Sequence, residues 1–396
     1  MFKRIIKSYD YSLIIVYFLL CLFGLIMIYS ASMVTAIQIY GKESDFFYDK
    51  QKQHLIVSFV TFAIMAFLPY KLWESKQLSK ILVFGSFLVL ILVLFFGHVS
   101  NNAQSWFTFG SRSIQPAEFV KLVVIIYLSS VYARKQSYIN EFNVGVIPPI
   151  VFLVGLCFFV ALQPDLGTAA IIFAIGCTII ICSGMNMKNI MRLAVLSLVF
   201  LLFFSPFIYM KKDDFITKER IGRINGFLKP FEYEQDDGYH LVNSYLAIGS
   251  GGVKGQGIGQ SIQKLGYLPE PHTDFIMAII AEELGVFGVL FVLFGLAYIV
   301  LKGIYIAVRC KDPFGTLLAI GISSMIAIQS FINLGGVSGL IPITGVPLPF
   351  ISYGGSSLLL LSLSMGILVN ISMFVRYEQK YKKKSTTTTK GITTFS

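Results

Sequence analysis

The sequence KLGYLPEPHTDFIMAIIAEELG, residues 264–285, marks the point where a long polar segment ends and a long apolar one begins. Pro269 and Pro271 predict an extended or turn-like approach, because each proline disfavours the helical conformation in the residue before it. From Phe275 onward the pattern predicts a helix. The stretch therefore predicts a membrane helix that is entered from an irregular polar loop.

Asp274, with His272 and Thr273 beside it, falls at the first turn of this predicted helix. Because water meets hydrocarbon there, an acid at this position can stay ionised, with a pKa near the ordinary value of about 3.9, and can still contact a lipid-borne substrate. The structural alternative is that Asp274 caps the helix or complements its dipole. The residues alone leave both interpretations open.

The composition indicates a membrane protein. Of the 396 residues, 55% are hydrophobic and 13% are charged, about half the charged fraction of a soluble protein. The apolar runs are continuous, and they are long enough to cross a bilayer, which takes about 20 residues. Helices are the spanning element that such runs form. We therefore predict an all-α, polytopic integral membrane protein.

The apolar runs predict ten transmembrane helices in one membrane domain, residues 1–376. The predicted spans are 11–33, 53–70, 79–97, 115–133, 145–163, 167–184, 191–210, 274–301, 314–339 and 354–375. Residues 211–273 form the one large predicted loop. Residues 377–396 form a basic, Thr-rich tail that we expect to be disordered.

The charge distribution predicts the orientation in the membrane. The net charge of +11 suggests nucleic-acid binding at first sight, but most Lys and Arg lie at the inner ends of the spans and in the tail. The short outer loops carry only Lys42, Lys50, Lys52 and Arg112. The positive-inside rule then predicts two cytoplasmic termini and an extracytoplasmic large loop. The basic excess is a topology signal, and no nucleic-acid partner is predicted.

Several carboxylates and amides fall inside the predicted spans, together with Lys121. Glu118 and Lys121 share a helix face at i and i+3 and can pair, either to fix packing or to serve a function in the protein interior. Two further acids lie about 12 Å below Asp274 and need interior partners. These acids and their candidate partners in the neighbouring span are Glu282, Glu283, Gln329 and Asn333.

Two outer segments contain further candidate binding residues. Trp106, in the polar segment 98–114, is either an interfacial anchor or a platform for a sugar or lipid. Ser352, Gly354 and Ser356 open the last span with its N-terminus facing outward, which suits an anion. A plain N-cap by serine is the alternative.

The large loop contributes cations and glycines. Arg220, Arg223, Lys254 and Lys264 are candidate ligands of a diphosphate, although each is equally well explained as a solvated charge. The glycine run at 249–259 lacks the spacing of nucleotide-binding loops and lies on the wrong side of the membrane for ATP or NAD. Glycines here predict tight backbone packing or amides that approach an anion.

Short motifs spread in order over nearly the whole chain resemble the SEDS family. They are YSAS at 29–32, SIQPAEFVKL at 113–122, QPDLGT at 163–168, NSYLAIGSGG at 243–252, YLPEPHTDFI at 267–276, AEELG at 281–285 and ITGVPLPFISYGGSS at 343–357. The resemblance is greater to the cell-division branch of the family than to the elongation branch.

SEDS proteins are ten-helix peptidoglycan glycosyltransferases that polymerise lipid II at the outer face of the cytoplasmic membrane. They act beside a class B penicillin-binding protein, a transpeptidase. The resemblance implies that Asp274 is catalytic, that Glu118 and Lys121 matter in a central cavity, and that Trp106 lies near the substrate. It also implies a place at the division septum among other divisome membrane proteins.

The expected reaction inverts the sugar C1, since lipid II is α-linked and the glycan is β-1,4-linked. Inversion needs a base for the incoming 4-hydroxyl, predicted to be Asp274, and stabilisation of the leaving diphosphate. Basic side chains, helix N-termini or a divalent cation (Mg²⁺ or Mn²⁺) are the candidates for that stabilisation. No metal-binding motif is visible in the sequence and no other cofactor is predicted. His272 is a further candidate for substrate contact.

Two alternatives come from other functional classes. A lipid II transporter would suit helices with interior polar residues, but its binding charges should lie near the midplane, whereas the polar residues here concentrate at the outer face. A division scaffold that activates a transpeptidase is compatible with the enzyme.

Overall fold

The computed structural model describes residues 2–100, 103–109, 112–193, 195 and 218–382 of the chain. In chain order its α-helices are α1 (Phe2–Ile6), α2 (Tyr11–Gln38), α3 (Phe46–Phe67), α4 (Lys76–Phe96), α5 (Pro116–Arg134), α6 (Ile147–Ala161), α7 (Leu166–Cys182), α8 (Lys218–Leu228), α9 (Tyr239–Gly251), α10 (Ile276–Arg309), α11 (Pro313–Val337) and α12 (Gly355–Tyr377). The all-α prediction is confirmed.

Nine of the ten predicted spans coincide with helices α2 to α7 and α10 to α12. The span predicted at 191–210 lies outside the described residues, except for 191–193 and 195. Within the described part of the chain, seven helices are long and apolar enough to cross a membrane, and α7 is a shorter apolar helix. The count of ten therefore stays a prediction.

The helices are arranged around a buried centre. Helices α5, α11 and α12 have most of their surface covered by other helices, whereas α4 and α10 lie at the periphery. Helix α3 packs along α12, and α11 packs against α5, α7 and α10. The peripheral helices leave large apolar side chains exposed, including Phe84, Phe95, Phe287 and Phe294. Such extensive apolar exposure is expected where lipid, rather than water, surrounds the protein.

A small antiparallel sheet occupies the segment that follows α4. It has the order β1 (His98–Ser100), β2 (Ala103–Phe109) and β3 (Arg112–Ile114). Trp106 pairs with His98 across β1 and β2, and Phe107 pairs with Ile114 across β2 and β3. These strands were not predicted, because β1 and β3 have only three residues each and β2 stands alone in a segment rich in Asn and Ser.

The described part of the large loop, residues 218–273, is folded. It contains α8 and α9, and α9 packs along α10. Its glycines lower helix propensity and hide these helices from the sequence. Helix α10 continues to Arg309, well past the predicted end at residue 301, and contains one break at Gly285.

Candidate active site

Asp274 lies at the end of an irregular segment, two residues before α10 begins at Ile276. The helix starts one residue later than predicted. Its N-cap position is occupied by Phe275, whose side chain makes no capping hydrogen bond. The alternative in which Asp274 caps this helix is therefore wrong, and helix capping does not explain the acid.

Asn333, near the end of α11, fixes the main chain at Asp274. Its amide nitrogen donates to the carbonyls of Asp274 and Val346, both at 2.8 Å. Gly345 lies beside the acid itself, since a Cβ built at this glycine would be 3.5 Å from Oδ2 of Asp274. The loop that joins α11 to α12 therefore forms one wall of the site.

Two more hydrogen bonds tie the same loop to the residues before Asp274. The Ser352 hydroxyl donates to the Thr273 carbonyl at 2.6 Å and accepts from the Leu348 N–H at 2.9 Å. The Tyr353 N–H donates to the His272 carbonyl at 2.9 Å. Backbone hydrogen bonds on consecutive residues restrict the main chain, so the position of Asp274 is fixed from both sides.

The electrostatic surroundings of Asp274 favour its neutral form. Burial, with a smaller contribution from the nearby Glu270 carboxylate, raises the pKa of Asp274 to about 7, and the charge of Arg223 opposes this shift. Loss of hydration disfavours a carboxylate, and a like charge nearby does the same. The expectation of an ordinary pKa was therefore wrong, because the sequence did not reveal that the surrounding structure removes part of the acid's hydration.

His272 is buried among aromatic rings. Its ring centroid lies 4.2 Å from that of Phe47 and 5.5 Å from that of Tyr353. Burial lowers the pKa of His272 to about 4, so the imidazole is neutral at physiological pH. A neutral, packed ring does not supply positive charge to a diphosphate, although it remains a candidate for other substrate contact.

Two non-glycine residues near the site adopt the left-handed backbone conformation. Glu270, between two prolines, has φ of +51°, and Phe350, in the loop opposite, has φ of +66°. Residues other than glycine rarely adopt such angles, and the surrounding structure must hold them in place. Strained backbone of this kind concentrates at functional sites.

The glycine-rich run packs its backbone directly onto α10. A Cβ built at Gly251 would lie 1.9 Å from the Ala281 carbonyl oxygen, and one at Gly255 would lie 2.2 Å from that of Glu283. Only residues without a side chain permit this approach. Of the two roles predicted for the glycines, tight backbone packing is the one that these contacts support.

The break in α10 explains how this packing is hydrogen-bonded. Gly285 has φ of +61° and ψ of −154°, which interrupts the helical hydrogen bonds. The Glu282 and Glu283 carbonyls accept instead from the N–H groups of Gln256 and Gly257, both at 2.9 Å. The buried polar groups freed by the break are thus satisfied by the loop.

The Glu282 side chain also binds the large loop. Its carboxylate accepts from the Ser261 hydroxyl and from the Ile262 N–H, the latter at 2.9 Å. The expected partner in α11, Gln329, is instead buried with both polar side-chain atoms lacking a partner among the described residues. The expectation was wrong because the loop returns to cover α10.

Glu283 forms a buried ion pair with Lys264. The Lys264 ammonium lies 2.7 Å from Oε1 of Glu283 and 3.0 Å from the Ser30 hydroxyl, which itself donates to the same carboxylate at 2.7 Å. Lys264 is 1% exposed. These contacts give Lys264 a structural role that ties the large loop to α2 and α10, and they do not support the predicted role as a diphosphate ligand.

Glu118 and Lys121 form the predicted pair inside α5. The Lys121 ammonium lies 2.7 Å from Oε1 of Glu118, and both side chains are buried. Oε2 of Glu118 has no hydrogen-bond partner in the described part of the chain. Unpartnered buried polar atoms are rare in proteins, so this oxygen marks a place for water or a polar ligand.

Serines at the start of α12 connect it to the neighbouring elements. The Ser356 hydroxyl donates to the Ser113 carbonyl and accepts from the Gln115 N–H, both at 3.2 Å. The N-cap position of α12 is Gly354, so the alternative of a serine N-cap is wrong. Anion binding at this helix start stays a prediction.

The remaining predicted site residues are less constrained. Trp106 is half-buried in β2, and both interpretations of it, anchor and platform, stay open. Arg220 belongs to α8, but its side chain lies outside the described residues. Arg223, one turn further on, is exposed and acts on the Asp274 carboxylate through its charge.

Several residues that shape the site were not predicted from the sequence. Glu270 and Gly345 gave no signal as neighbours of Asp274, and Asn333 was noticed but assigned to the wrong partner. Tyr353 was visible only as part of a family motif. Two local sequence signals could have identified Glu270 and Gly345. Glu270 lies between two prolines, and Gly345 lies in a proline-rich segment.

Comparison with known proteins identifies the class of protein. Residues 10–377 match the family described as "Cell cycle protein", which groups FtsW, RodA and SpoVE. The chain is 57% identical over 392 residues to "Probable peptidoglycan glycosyltransferase FtsW" of Bacillus subtilis (strain 168), covering 99% of this chain and 97% of that protein. It is 39% identical to "Stage V sporulation protein E" of the same organism, over 93% and 98% of the two chains. The chain belongs to the FtsW/RodA/SpoVE family, and the resemblance to SEDS proteins is confirmed.

Solved structures share the fold. A chain from "Structural coordination of polymerization and crosslinking by a peptidoglycan synthase complex" matches with a TM-score of 0.72 at 21% identity, over 93% of this chain and 98% of that one. The rod shape determining protein RodA of Thermus thermophilus matches with a TM-score of 0.64 at 22% identity, over 94% and 98%. At these identities the similarity establishes the architecture.

Proposed function

We propose that this protein is a peptidoglycan glycosyltransferase that polymerises lipid II into β-1,4-linked glycan strands during septal wall synthesis. The observation that carries the proposal is the carboxyl of Asp274, held by backbone contacts at one end of a helical membrane protein and given a pKa of about 7. The similarity to a B. subtilis protein named for this activity supports it.

In the proposed reaction Asp274 acts as the general base. Its carboxylate accepts the proton of the incoming 4-hydroxyl while that oxygen attacks C1 of the lipid-linked sugar. The bond from C1 to the diphosphate breaks, and the bonding electrons leave with the diphosphate. A base with a pKa near the working pH is best suited to this task, because it is both sufficiently ionised and sufficiently basic.

Positive charge near the site would stabilise the leaving diphosphate. Arg223 is the described cation whose charge acts on Asp274, and the N-terminus of α12 offers backbone N–H groups for an anion. A divalent cation, Mg²⁺ or Mn²⁺, is a further candidate for this stabilisation and would be held largely by diphosphate and water, because the described residues contain no cluster of three or more His, Cys, Asp or Glu side chains.

The buried polar residues suggest where the lipid-linked headgroup would be oriented. Glu118 keeps one carboxylate oxygen without a partner in the described part of the chain, next to its pair with Lys121. Such a group would hydrogen-bond a sugar or peptide hydroxyl or amide of the substrate. Trp106 and His272 are proposed as further contacts.

We also propose the cellular setting. The basic residues at one end support cytoplasmic termini, in the plasma membrane of a bacterium and at the division septum. A class B penicillin-binding protein is the proposed transpeptidase partner, together with other divisome membrane proteins. The fold similarity to a chain from a peptidoglycan synthase complex supports a partner of this kind.

The test is polymerisation of lipid II by the purified full-length protein, alone and with its cognate transpeptidase, with products resolved by length on a gel. Asp274→Asn should reduce polymer by about 10²- to 10⁴-fold, the usual contribution of a general base. Glu118→Gln is run beside it, and Asp49→Asn, an exposed acid in α3, is the matched control and should retain activity.

If a folded Asp274→Asn protein makes as much polymer as the parent, Asp274 is not the general base. No polymer from any preparation, even with the transpeptidase, would overturn the enzyme proposal in favour of lipid II transport or a scaffold role.

A further inference from the structure

A cavity of about 100 Å³ lies at the end of the molecule opposite Asp274. It is formed where α2 begins and where α10 and α12 end. Its polar lining comes from Asp10, Ser372, Gln379 and three cationic side chains, with Tyr305 beside them. The cations are Lys302, Arg309 and Arg376. The proposed reaction uses none of these residues.

The cavity contains more positive charge than its one acid neutralises. Arg376 binds the Asp10 carboxylate, and the Lys302 ammonium lies 3.5 Å from the same carboxylate. The Arg309 guanidinium lies over the ring of Tyr305, 4.3 Å from its centroid, and has no carboxylate partner in the described part of the chain. Two net positive charges are therefore available to an anion.

An exposed apolar face of α10 adjoins the cavity. Leu301, Ile304 and Val308, on the same turns as the cations, are exposed and apolar. Helix α10 has 34 residues from Ile276 to Arg309 and rises about 50 Å, so it crosses the roughly 30 Å of a hydrocarbon core and its last turns reach the headgroup level. The cations thus stand at the depth where acyl chains end and headgroups begin, a depth that aromatic residues such as Tyr305 also favour.

We propose that this cavity binds the phosphate of an anionic phospholipid in the leaflet at this end. Arg309 and Lys302 would bind the phosphate oxygens, while Leu301 and Val308 pack against the acyl chains. The volume of about 100 Å³ leaves room for one phosphodiester group. Basic pockets between helices at the membrane surface are suited to anionic headgroups. The proposal does not depend on glycosyl transfer.

Native mass spectrometry of the full-length protein in detergent tests the proposal, with phosphatidylglycerol and phosphatidylcholine as probes. The parent should retain one phosphatidylglycerol in preference to phosphatidylcholine. Arg309→Gln and Lys302→Gln should each weaken that binding about fivefold, the effect of one cation near a membrane surface. Lys188→Gln, an exposed cation outside the cavity, is the control and should bind as the parent does.

Glycerol 3-phosphate, added as a soluble competitor, separates a lipid site from a site for free phosphate. Failure to displace the lipid supports the lipid assignment, and ready displacement overturns it. Unchanged phosphatidylglycerol binding by Arg309→Gln would also overturn the proposal. Arg309 is exposed and has no ion-pair partner among the described residues, so this variant should fold even if Lys302→Gln does not.

Discussion

The ionisation of Asp274 depends on two residues of opposite charge. Glu270 raises the pKa of Asp274, and Arg223 lowers it, while burial sets the larger upward shift to about 7. Both neighbours come from the large loop. The large loop therefore sets the pKa of Asp274 through its charges as well as covering it. Substitutions in the loop should shift the pH dependence of activity.

The rate of polymerisation should fall on the acidic side with a midpoint near pH 7, because the base must be deprotonated to accept a proton. Glu270→Gln removes a like charge and should move this midpoint to lower pH. Arg223→Gln removes an opposite charge and should move it to higher pH. The measurement is the pH profile of the initial rate at low lipid II concentration, which reports the free enzyme.

Glu232→Gln serves as the control for this pair, since Glu232 pairs with Lys229 on the exposed surface. Its profile should match the parent. Identical profiles for Glu270→Gln and Arg223→Gln would show that Asp274 is not the titrating base.

At the scale of elements, the site is built by docking the large loop onto the broken helix α10. The glycine run brings backbone against backbone, and the break at Gly285 provides carbonyls for the loop to bind. The buried Lys264–Glu283 pair and Ser30 then join this unit to α2. Along the chain, Asp274 lies between the attached residues of the large loop and the attached residues of α10. Loss of these contacts should therefore displace it.

Gly251 and Gly249 allow a matched test of the glycine packing, because both lie in α9. A Cβ at Gly251 would clash with the Ala281 carbonyl at 1.9 Å, whereas one at Gly249 meets nothing within 4 Å. Gly251→Ala should destabilise the protein by about 1–3 kcal/mol, the usual cost of overpacking. Gly249→Ala should be neutral or slightly stabilising, since alanine favours helix. Thermal unfolding in detergent measures both, and equal unfolding temperatures would contradict the packing.

The Lys264–Glu283 pair should show strong coupling in a double-mutant cycle. Lys264→Met leaves a buried carboxylate without its counter-charge and should cost about 3–5 kcal/mol. Adding Glu283→Gln removes that charge and keeps a group that can hydrogen-bond Ser30, so the double variant should recover part of the loss. Additive effects in thermal unfolding would mean that the pair is not formed.

At the scale of the whole molecule, the two ends differ in chemistry. One end carries the acid, the folded loop and the strained backbone around Asp274. The other carries the cations at the ends of α10 and α12 and the cavity beside Asp10. This polarity matches a protein that meets its substrate on one side of a membrane and is anchored on the other.

Reporter fusions should establish that orientation. Alkaline phosphatase inserted after Gln235, in the large loop, should be active, because the enzyme folds only outside the cytoplasm. Green fluorescent protein fused after Ser396 should be fluorescent, because the positive-inside rule places that end in the cytoplasm. The reverse pattern in cells would overturn the assigned sidedness and with it the proposed access to lipid II.

Local patterns in the sequence were sufficient to predict the membrane helices and one ion pair, Glu118–Lys121. Continuous apolar runs predicted nine observed helices, because spanning a bilayer demands a length and a hydrophobicity that composition reveals directly. The spacing of Glu118 and Lys121 predicted their contact, because it depends only on the geometry of one helix. The motif around Asp274 predicted which acid to examine.

Only the tertiary structure decided the properties that arise between distant parts of the chain. The pKa of Asp274 follows from enclosure by a loop whose path the sequence does not reveal. Lys264 finds Glu283 and Ser30, and Asn333 binds the backbone of Asp274, because separate helices and loops happen to meet there. Hydrophobic patterning specifies how much of the chain is buried, whereas the identity of each polar partner depends on packing, which no local pattern encodes.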